Sequence, residues 1–420
     1  MSILIKDVLL NNKVQDIFVE DNKITKIGNK LNENAECKIN GKNKAAIPSF
    51  INSHTHAAMT LMRGYADDMV VLEWLQKKIW PLEGKLTNKD LYWGTKLACL
   101  EMIKSGTTFF NDMYFFKGGD NDAIQAAVES GIRMMAGHVL LDFDPANRKK
   151  EWHIQSDITN YVKNLNNPRI SVAINPHSIY AVSEESLLWC KEFANKNNLL
   201  LHIHLCESKQ EVEDCKKKHG KTPVEYLNNI GFLGPNVISA HNIWVNQKEI
   251  EILKKHDVKT VHTPVSNMKL SSGVFPYKEM KKAGLTISLG TDGCASNNNL
   301  DMFEEMKATS ILHKLKSMDP TLTPGNEAFE MATINGAKAF GLNTGIIEEG
   351  KLADLLLIDL KKPFMVPLHN LISNIVFAAN GSCVDTTICD GKILMQNRKV
   401  KGEEEILEKA AETAKDLVSR

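Results

Sequence analysis

The chain alternates short, largely apolar segments with longer segments whose apolar residues recur at helical spacing. Each short segment is predicted to be a strand, and each is followed by a helix or a longer connection. Eight strands are predicted in this way, at residues 45–56, 107–110, 133–140, 170–174, 199–205, 237–240, 258–262 and 286–289. The predicted helices include one over residues 184–197 and one over residues 327–340. This alternation predicts an α/β fold, a parallel (β/α)8 barrel of the TIM type.

Both ends of the chain show a different pattern, of short alternating segments divided by Asn, Asp and Gly turns. Such segments occupy residues 1–44 and about 345–400, with residues 345–347 as the first predicted strand of the second part, and they are typical of small antiparallel sheets. Because neither part can close a core alone, we expect one discontinuous β-sandwich built from the N- and C-terminal segments. The predicted division is residues 1–44 for the first part of the sandwich, 45–344 for the barrel, and 345–420 for the second part with a C-terminal helix.

One connection is unusually long. Residues 57–86 follow the first predicted barrel strand and include Met59, Trp74, Trp80 and Glu83, with a short helix predicted over residues 72–79. Loops longer than about 15 residues are uncommon unless they have a function. We therefore expect this excursion to line a pocket or to cover it.

The composition narrows the possible partners. Of the 420 residues, 43% are hydrophobic and 24% are charged, and 51 Lys and Arg residues balance 51 Asp and Glu residues. A zero net charge gives no indication of a nucleic-acid or membrane-surface partner. The eight cysteines form no Cys-x-x-Cys pair, no signal peptide is recognisable, and no apolar run approaches about 18 residues. We expect a soluble cytoplasmic protein with reduced thiols.

Two histidines end the first predicted barrel strand, in the sequence Ser53-His54-Thr55-His56. Residues two apart on a strand point to the same face, so His54 and His56 project together. Two neutral imidazoles held in this way are half of a site for a first-row metal. A single pair can arise by chance, and its weight comes from the strand ends that follow.

A second pair, His202 and His204, ends the fifth predicted strand. His204 lies nearer the C-terminal rim, where barrel active sites are found, and is the better candidate ligand. For His202 the favoured interpretation is a core histidine. Three residues beyond His204, Glu207 is a solvated loop residue in most contexts, but beside a metal it becomes a candidate proton shuttle.

The later strands add two more candidates. His241 ends the sixth predicted strand, and Asp292 follows the eighth in Gly290-Thr291-Asp292-Gly293. A strand-end Asp before Gly is commonly only a turn residue, but three strand-end histidines in the same barrel favour a ligand. Three imidazoles and one carboxylate leave a position open for water, as in catalytic sites. The fourth strand offers His177 and no bridging lysine, so a mononuclear site is indicated.

These motifs together resemble the amidohydrolase superfamily, and specifically its 5-methylthioadenosine/S-adenosylhomocysteine deaminase branch. The resemblance covers the whole chain in register, and the excursion motif is the part most specific to the branch. The matching stretches are Ser53 to His56, Glu73-Trp74-Leu75-Gln76 to Trp80-Pro81-Leu82-Glu83, Pro176-His177, His204 to Glu207, Ala240-His241, Ser266 to Leu270, Gly290 to Gly293 and Ala353-Asp354-Leu355.

The resemblance implies one divalent metal ion per subunit, usually zinc, and hydrolytic deamination at purine C6 of 5'-methylthioadenosine, S-adenosylhomocysteine or adenosine. The implied metal ligands are His54, His56, His204 and Asp292. The implied acid–base set is Glu207, His241 and Asp292, of which Glu207 and Asp292 also contact the substrate. The other implied contacts are Glu83 to ribose hydroxyls, His177 to a purine nitrogen and Arg148 to the carboxylate of a homocysteine tail.

Two positions depart from the branch pattern. Ser49 replaces the usual glycine before the first strand, and His138 occupies a position where a second arginine is common. The second departure leaves the preference between S-adenosylhomocysteine, methylthioadenosine and adenosine open. The same metal site also allows deamination of guanine or another heterocycle, or dechlorination of a triazine ring.

A non-catalytic barrel with a structural metal is the remaining alternative. The many polar groups at the strand ends count against it, because unpaired buried polar groups are costly without a function. The expected partner is a small nucleoside substrate, with no nucleic acid and no membrane. Homo-oligomerisation and the choice among zinc, iron and manganese stay open.

Overall fold

In the computed structural model, residues 1–117, 122–142 and 147–420 are described, except for the side chains of residues 71 and 72. The N-terminal segment forms five strands, and its first three strands form an antiparallel meander. The strands are β1 (Ser2–Leu10), β2 (Lys13–Glu20), β3 (Lys23–Gly28), β4 (Cys37–Asn40) and β5 (Lys44–Pro48).

The first predicted barrel strand is in fact two strands. The strand is interrupted at Ser49. β5, before the interruption, pairs within the terminal sheet, and only the next strand, Phe50–Thr55, belongs to the barrel. The single strand predicted over residues 45–56 was therefore wrong. Ser49 is buried at the break, and its hydroxyl lies 2.5 Å from that of Thr108.

Eight parallel strands form the barrel, and they follow one another in chain order as predicted. They are β6 (Phe50–Thr55), β7 (Thr107–Asp112), β8 (Arg133–Ala136), β10 (Ile170–Pro176), β11 (Leu200–Leu205), β12 (Val237–His241), β13 (Lys259–His262) and β14 (Ile287–Leu289), with β9 (Val139–Leu140) a short addition beside β10. The ring closes between β14 and β6, where the Asp292 amide donates to the His54 carbonyl at 2.9 Å.

Helices cover the outside of the barrel and connect its strands. Those between β6 and the end of the barrel are α1 (Val71–Trp74), α2 (Trp80–Glu83), α3 (Asn88–Ser105), α4 (Ala123–Ser130), α5 (Arg148–Leu165), α6 (Glu184–Asn197), α7 (Lys209–His219), α8 (Pro223–Asn229), α9 (Gln247–Lys255), α10 (Pro264–Lys269), α11 (Tyr277–Ala283), α12 (Met302–Ser317), α13 (Gly325–Met331) and α14 (Ile334–Phe340). The predicted helix 72–79 is instead α1, a π-helical turn (Leu75–Ile79) and α2.

The helix predicted over residues 327–340 is interrupted between α13 and α14. The break has a tertiary cause, because the Ala332 carbonyl accepts a hydrogen bond from the Ile51 amide of β6 at 2.8 Å. Thr333 next to it leaves helical geometry, with φ −130° and ψ −95°.

The C-terminal segment completes the terminal sheet with three strands and adds two helices. These elements are β15 (Leu355–Asp359), α15 (Leu371–Phe377), β16 (Val384–Cys389), β17 (Lys392–Met395) and α16 (Glu403–Ser419). The sheet has eight strands in the order β17-β16-β15-β5-β1-β2-β3, with β4 paired to β1, so it is built from both ends of the chain. Residues 345–347, predicted as a strand, are not part of it.

The terminal sheet is joined to the barrel by the alternation of side chains along β15. Leu355 and Leu357 belong to the apolar core of the terminal sheet, whereas Leu356 and Ile358 pack in the apolar cluster shared with the barrel helices. Successive residues of a strand point to opposite faces, so one strand supplies both cores. The sheet therefore packs against the barrel on one face and keeps its own core on the other.

Candidate active site

The histidines and the aspartate predicted from the strand ends lie together at the C-terminal rim of the barrel. The candidate ligand atoms of His54, His204 and His241 lie within 4.8 Å of one another, and so do those of His54, His56 and Asp292. Asp292 Oδ1 is 3.2 Å from Nε2 of His56 and 3.7 Å from Nε2 of His54. Residues from β6, β11, β12 and the end of β14 thus meet at one point.

Hydrogen bonds at Nδ1 fix the orientation of the candidate imidazoles. His56 Nδ1 donates to the Met113 carbonyl at 2.6 Å, and His204 Nδ1 donates to the His177 carbonyl at 2.9 Å. A proton on Nδ1 leaves the Nε2 lone pair free, which is the arrangement of a metal-binding imidazole. Nε2 of His54 is buried and has no hydrogen-bond partner. These donors fit a divalent metal.

Asp292 supplies the negative charge of the cluster. Its Oδ2 accepts from the Ser266 hydroxyl at 2.6 Å and its Oδ1 from the Gly293 amide at 2.7 Å. Burial works to raise the pKa of Asp292, but the neighbouring His56 holds it below its ordinary value. Burial likewise works to lower the pKa of His56, yet Asp292 raises it to about 9. A positive charge is therefore favoured at the centre of the cluster, and three imidazoles with one carboxylate suit zinc.

Glu207 and His241 stand beside the cluster. Nε2 of His241 is 4.0 Å from Oε2 of Glu207, whose side chain is 13% exposed. On the other side of its ring, His241 Nδ1 donates to Oδ1 of Asn267 at 3.0 Å and lies 3.1 Å from the Thr263 hydroxyl. Burial raises the pKa of Glu207, although His241 opposes the effect. The site thus holds a carboxyl that tends to keep its proton next to an oriented imidazole.

Three of the strand ends adopt left-handed backbone conformations without glycine. The φ angles are +54° for Cys206, +71° for His241 and +64° for Asp292. Such conformations cost roughly 1–3 kcal/mol each and cluster at functional sites, where the surrounding structure enforces them. Here they turn the chain at the point where each functional side chain must face the cavity.

Glycine is required at the strand end before Asp292. A Cβ on Gly290 would lie 2.7–2.9 Å from the backbone and Cβ of His54. The close approach of these two segments of the chain brings Asp292 near the His54 and His56 rings. The motif Gly290-Thr291-Asp292-Gly293 therefore has a packing reason as well as a chemical one.

The cluster opens into a cavity with about 620 Å³ of space free of protein atoms, part of it open to solvent. Glu83 and His177 line it, together with aromatic and apolar side chains of the excursion: Met59, Trp74, Leu75 and Trp80. Burial raises the pKa of Glu83 to about 7, whereas burial lowers that of His177 to about 3, so His177 is neutral. The excursion thus lines the cavity, as expected.

Some predicted residues lie elsewhere. Arg148 does not line the cavity; its Nε donates to Asp142 at 3.1 Å and its Nη1 pairs with Glu185. His138 is buried, with Nε2 2.8 Å from a Glu151 carboxylate oxygen. His202 is fully buried, as the core interpretation predicted, but it also hydrogen-bonds His54.

Two contributions were not recognised from the sequence. Ser266 and Asn267 lie in α10, the helix after β13, where Ser266 donates to Asp292 and Asn267 accepts from His241. Both occur in the stretch Ser266 to Leu270 that carried the resemblance, but nothing local indicated which residue each would contact. The signal available was their position directly after the seventh barrel strand, where a rim residue is expected.

The fold and the site define a metal-dependent hydrolase barrel, and residues 45–394 match the amidohydrolase family, to which the chain belongs. It is 49% identical to the 5-methylthioadenosine/S-adenosylhomocysteine deaminase 1 of Archaeoglobus fulgidus, over 96% of this chain and 95% of that protein. It is 46% identical to the 5'-deoxyadenosine deaminase of Methanospirillum hungatei, over 100% of this chain and 94% of that protein.

A solved structure is similar over the whole chain. The zinc-bound adenosine deaminase from Xanthomonas campestris superposes with a TM-score of 0.94 at 29% identity, covering 100% of this chain and 99% of that one. The predicted family and barrel fold are thereby confirmed. Within the described part of the chain, none of the helices combines the length and apolar character needed to cross a membrane.

Proposed function

We propose that the protein catalyses hydrolytic deamination at C6 of an adenosine-type nucleoside, giving the inosine counterpart and ammonia. The proposed substrates are 5'-methylthioadenosine, S-adenosylhomocysteine, 5'-deoxyadenosine and adenosine, the first three being named for relatives at 46–49% identity. One observation carries the proposal. Glu207, beside His241, faces the same cavity as His56, His204, Glu83 and His177.

The metal ligands we propose are His54, His56, His204 and Asp292. A divalent ion held there, zinc by preference, would supply a water whose pKa is lowered from about 15.7 to about 7. Asp292 has its Oδ2 fixed by Ser266 and its Oδ1 directed at the histidines. Its carboxylate is placed to accept the proton that the attacking water gives up.

Glu207 and His241 supply the remaining acid–base chemistry. Burial raises the pKa of Glu207, which favours the protonated carboxyl that can donate to purine N1 as water attacks C6. His241, oriented by Asn267, presents its Nε2 on the cavity side, where it can position the water. Asp292 passes the proton it accepted from water to the amino group, the C6–N bond breaks and ammonia leaves. The hydroxyl proton returns to Glu207, which leaves the inosine product with a C6 carbonyl.

The other substrate contacts follow the same orientation. With C6 at the ligand cluster, a carboxylate at Glu83 can accept hydrogen bonds from both ribose hydroxyls. The neutral His177 can hydrogen-bond a purine ring nitrogen, and Trp74 and Trp80 offer apolar surface to the nucleoside. These roles stay predictions until a nucleoside complex is measured.

The cavity also bears on the substrate tail. Among the described residues that line it there is no Lys or Arg, and Arg148 is already paired with two carboxylates. A free homocysteine carboxylate is bound best by a guanidinium or ammonium group. We therefore favour neutral tails, as in 5'-deoxyadenosine and methylthioadenosine, over the zwitterionic tail of S-adenosylhomocysteine.

The alternative is a heterocycle without a ribose, such as guanine or a triazine. A buried carboxylate at Glu83, separate from the acid–base set, is better explained by a substrate with hydroxyl groups to donate. The test is direct. The metal-loaded protein is incubated with each adenosine derivative and with guanine, following the adenine-type absorbance and ammonia release.

Turnover of the adenosine derivatives supports the proposal, and ammonia from guanine alone would replace it with the alternative. In the same assay, Glu207→Gln should keep its metal and lose about 10² to 10⁴ in kcat. Metal-replete Glu207→Gln with full turnover would remove Glu207 from the mechanism.

We also propose a domain division and a cellular location. The division is into residues 1–44, 45–344 and 345–420, adjusted so that β5 (Lys44–Pro48) belongs to the terminal sheet. The location is cytoplasmic, and the eight free cysteines, seven of them buried, are consistent with it.

A further inference from the structure

The loop that carries Glu207 is held by a second carboxylate, that of Glu211. Oε1 of Glu211 accepts a hydrogen bond from the Cys206 amide at 3.0 Å, and Oε2 accepts one from the Glu207 amide at 2.8 Å. Glu211 is buried, with 6% of its surface exposed, and it does not line the cavity. It therefore contacts the backbone of the loop and not the substrate.

This arrangement is not ordinary helix capping. Glu211 is the third residue of α7, whose N-cap is Ser208. The corresponding residues Glu225 and Glu249 of α8 and α9 form capping boxes, in which the carboxylate accepts from the amide of its own N-cap residue. Glu211 reaches past its N-cap to the two preceding amides. Its carboxylate thus accepts hydrogen bonds from amides of the strand-to-helix loop and not from the amide of the helix N-cap.

The backbone conformation of this loop requires stabilising contacts from its surroundings. Cys206 is in the left-handed conformation, with φ +54°, which a residue with a side chain adopts only when its surroundings enforce it. Its carbonyl accepts from the amides of Ile243 and Trp244, both at 3.0 Å. Because Glu211 accepts from the Cys206 amide, both the amide and the carbonyl of Cys206 are hydrogen-bonded.

We propose that Glu211 is a positioning residue that fixes the Cys206–Glu207 backbone, so that the Glu207 carboxyl meets the substrate nitrogen beside His241. The inference rests on the proposed role of Glu207. It adds a residue that acts through Glu207 and touches neither substrate nor metal. A shift of about 1 Å in a catalytic group can cost about 10² in rate, so the effect of losing this support is measurable.

The test uses the metal-loaded enzyme and the variant Glu211→Gln. The amide has the same shape, but its NH2 group would face a backbone N–H, so one of the two hydrogen bonds is replaced by a donor–donor contact. We expect kcat to fall about 10- to 100-fold, with KM within about twofold and metal content unchanged. The matched control is Glu249→Gln, a buried glutamate at the same helix position whose carboxylate accepts from the amide of its own N-cap residue Asn246, and which should keep wild-type kcat.

A double-mutant cycle separates positioning from a general structural role. In the Glu207→Gln background, Glu211→Gln should cost little further turnover, because the group that it positions is already gone. If Glu211→Gln lowers kcat by the same factor in both backgrounds, the positioning role is wrong. Wild-type turnover by Glu207→Gln alone would instead overturn the proposed role of Glu207, on which this inference rests. No turnover of any adenosine derivative by the wild-type enzyme would overturn the proposed function.

A second variant covers a failure to fold. Glu211→Asp keeps the charge but withdraws the carboxylate by about one carbon–carbon bond, about 1.5 Å, so it cannot reach both amides. The same loss of kcat with unchanged KM is expected. If neither Glu211 variant folds while Glu249→Gln does, Glu211 is a folding residue and the positioning role is overturned.

Discussion

His202 Nε2 lies 2.8 Å from Nδ1 of His54, and the two rings are stacked with an interplanar angle of 28°. For His54 to present an Nε2 lone pair to a metal, its Nδ1 must carry the proton and donate it to His202. His202 is therefore the hydrogen-bond acceptor that selects the metal-binding tautomer of His54.

Replacing this acceptor should weaken the metal site. We expect His202→Phe to lower metal affinity about 10- to 100-fold, measured by competition with a chelator. The matched control is His262→Phe, a second fully buried strand-end histidine, which hydrogen-bonds His313 and not a candidate ligand. Equal losses of metal affinity in both variants would show that barrel packing, and not the His54–His202 bond, is responsible.

Gly290 should be intolerant of any side chain. Gly290→Ala places a Cβ 2.7–2.9 Å from His54, so either β6 or the end of β14 must move. We expect a loss of about 1–3 kcal/mol in the free energy of unfolding and a loss of bound metal. As a control, Gly28→Ala meets only Leu31 at 3.4 Å. Chemical denaturation and metal analysis measure both effects, and a metal-replete, fully stable Gly290→Ala would contradict the prediction.

A buried ion pair joins the barrel to the terminal sheet. Arg133 of β8 donates from Nε to Asp354 at 3.0 Å and from Nη2 to Asp390 at 2.5 Å, and all three side chains are less than 8% exposed. Arg133→Met leaves two buried carboxylates without this partner and should cost about 3–5 kcal/mol in urea unfolding. Lys26→Met, which removes the exposed pair with Glu33, should leave the free energy of unfolding nearly unchanged, because solvent screens that pair. Similar losses in both would refute the distinction.

The ionisation of Glu83 should appear in the pH profile. Burial raises its pKa to about 7, so below that pH the carboxyl is protonated and can accept fewer hydrogen bonds from ribose. We expect kcat/KM to rise about tenfold per pH unit toward pH 7 and then to level off as far as this group is concerned. Glu83→Gln should have low kcat/KM and lose this rise. Glu225→Gln serves as the control, and an unchanged acid limb in Glu83→Gln would assign the titration to another group.

Arg148 is not expected to distinguish between substrate tails. Since its guanidinium is paired with Asp142 and Glu185, we expect Arg148→Ala to change kcat/KM for methylthioadenosine and S-adenosylhomocysteine by the same small factor, within about twofold. Initial rates with the two substrates measure the ratio. A selective loss for S-adenosylhomocysteine would instead assign Arg148 to its carboxylate, as the resemblance implies.

Much of the fold could be predicted because it depends on local periodicity. Strand and helix periods gave the eight barrel strands, and helix α6 (Glu184–Asn197) was predicted with its observed bounds. The predicted bounds of strands and helices were wrong where hydrogen bonds to a distant part of the chain interrupt an element. The break at Ala332 depends on a hydrogen bond from Ile51, and the break at Ser49 on pairing with β15. Helix α7 was missed because only Val212 and Cys215 are apolar among its eleven residues.

The sequence by itself determined which residues could meet. His54, His56, His204 and Asp292 each follow or end a strand, and parallel strands in a barrel bring those ends to one rim whatever the loops do. The tertiary structure alone decided how they are held. The contacts of His202 with His54, across 148 positions, and of Glu211 with the Glu207 loop depend on backbone angles and side-chain packing. Those contacts arise only after the chain has folded, so no local pattern in the sequence specifies them.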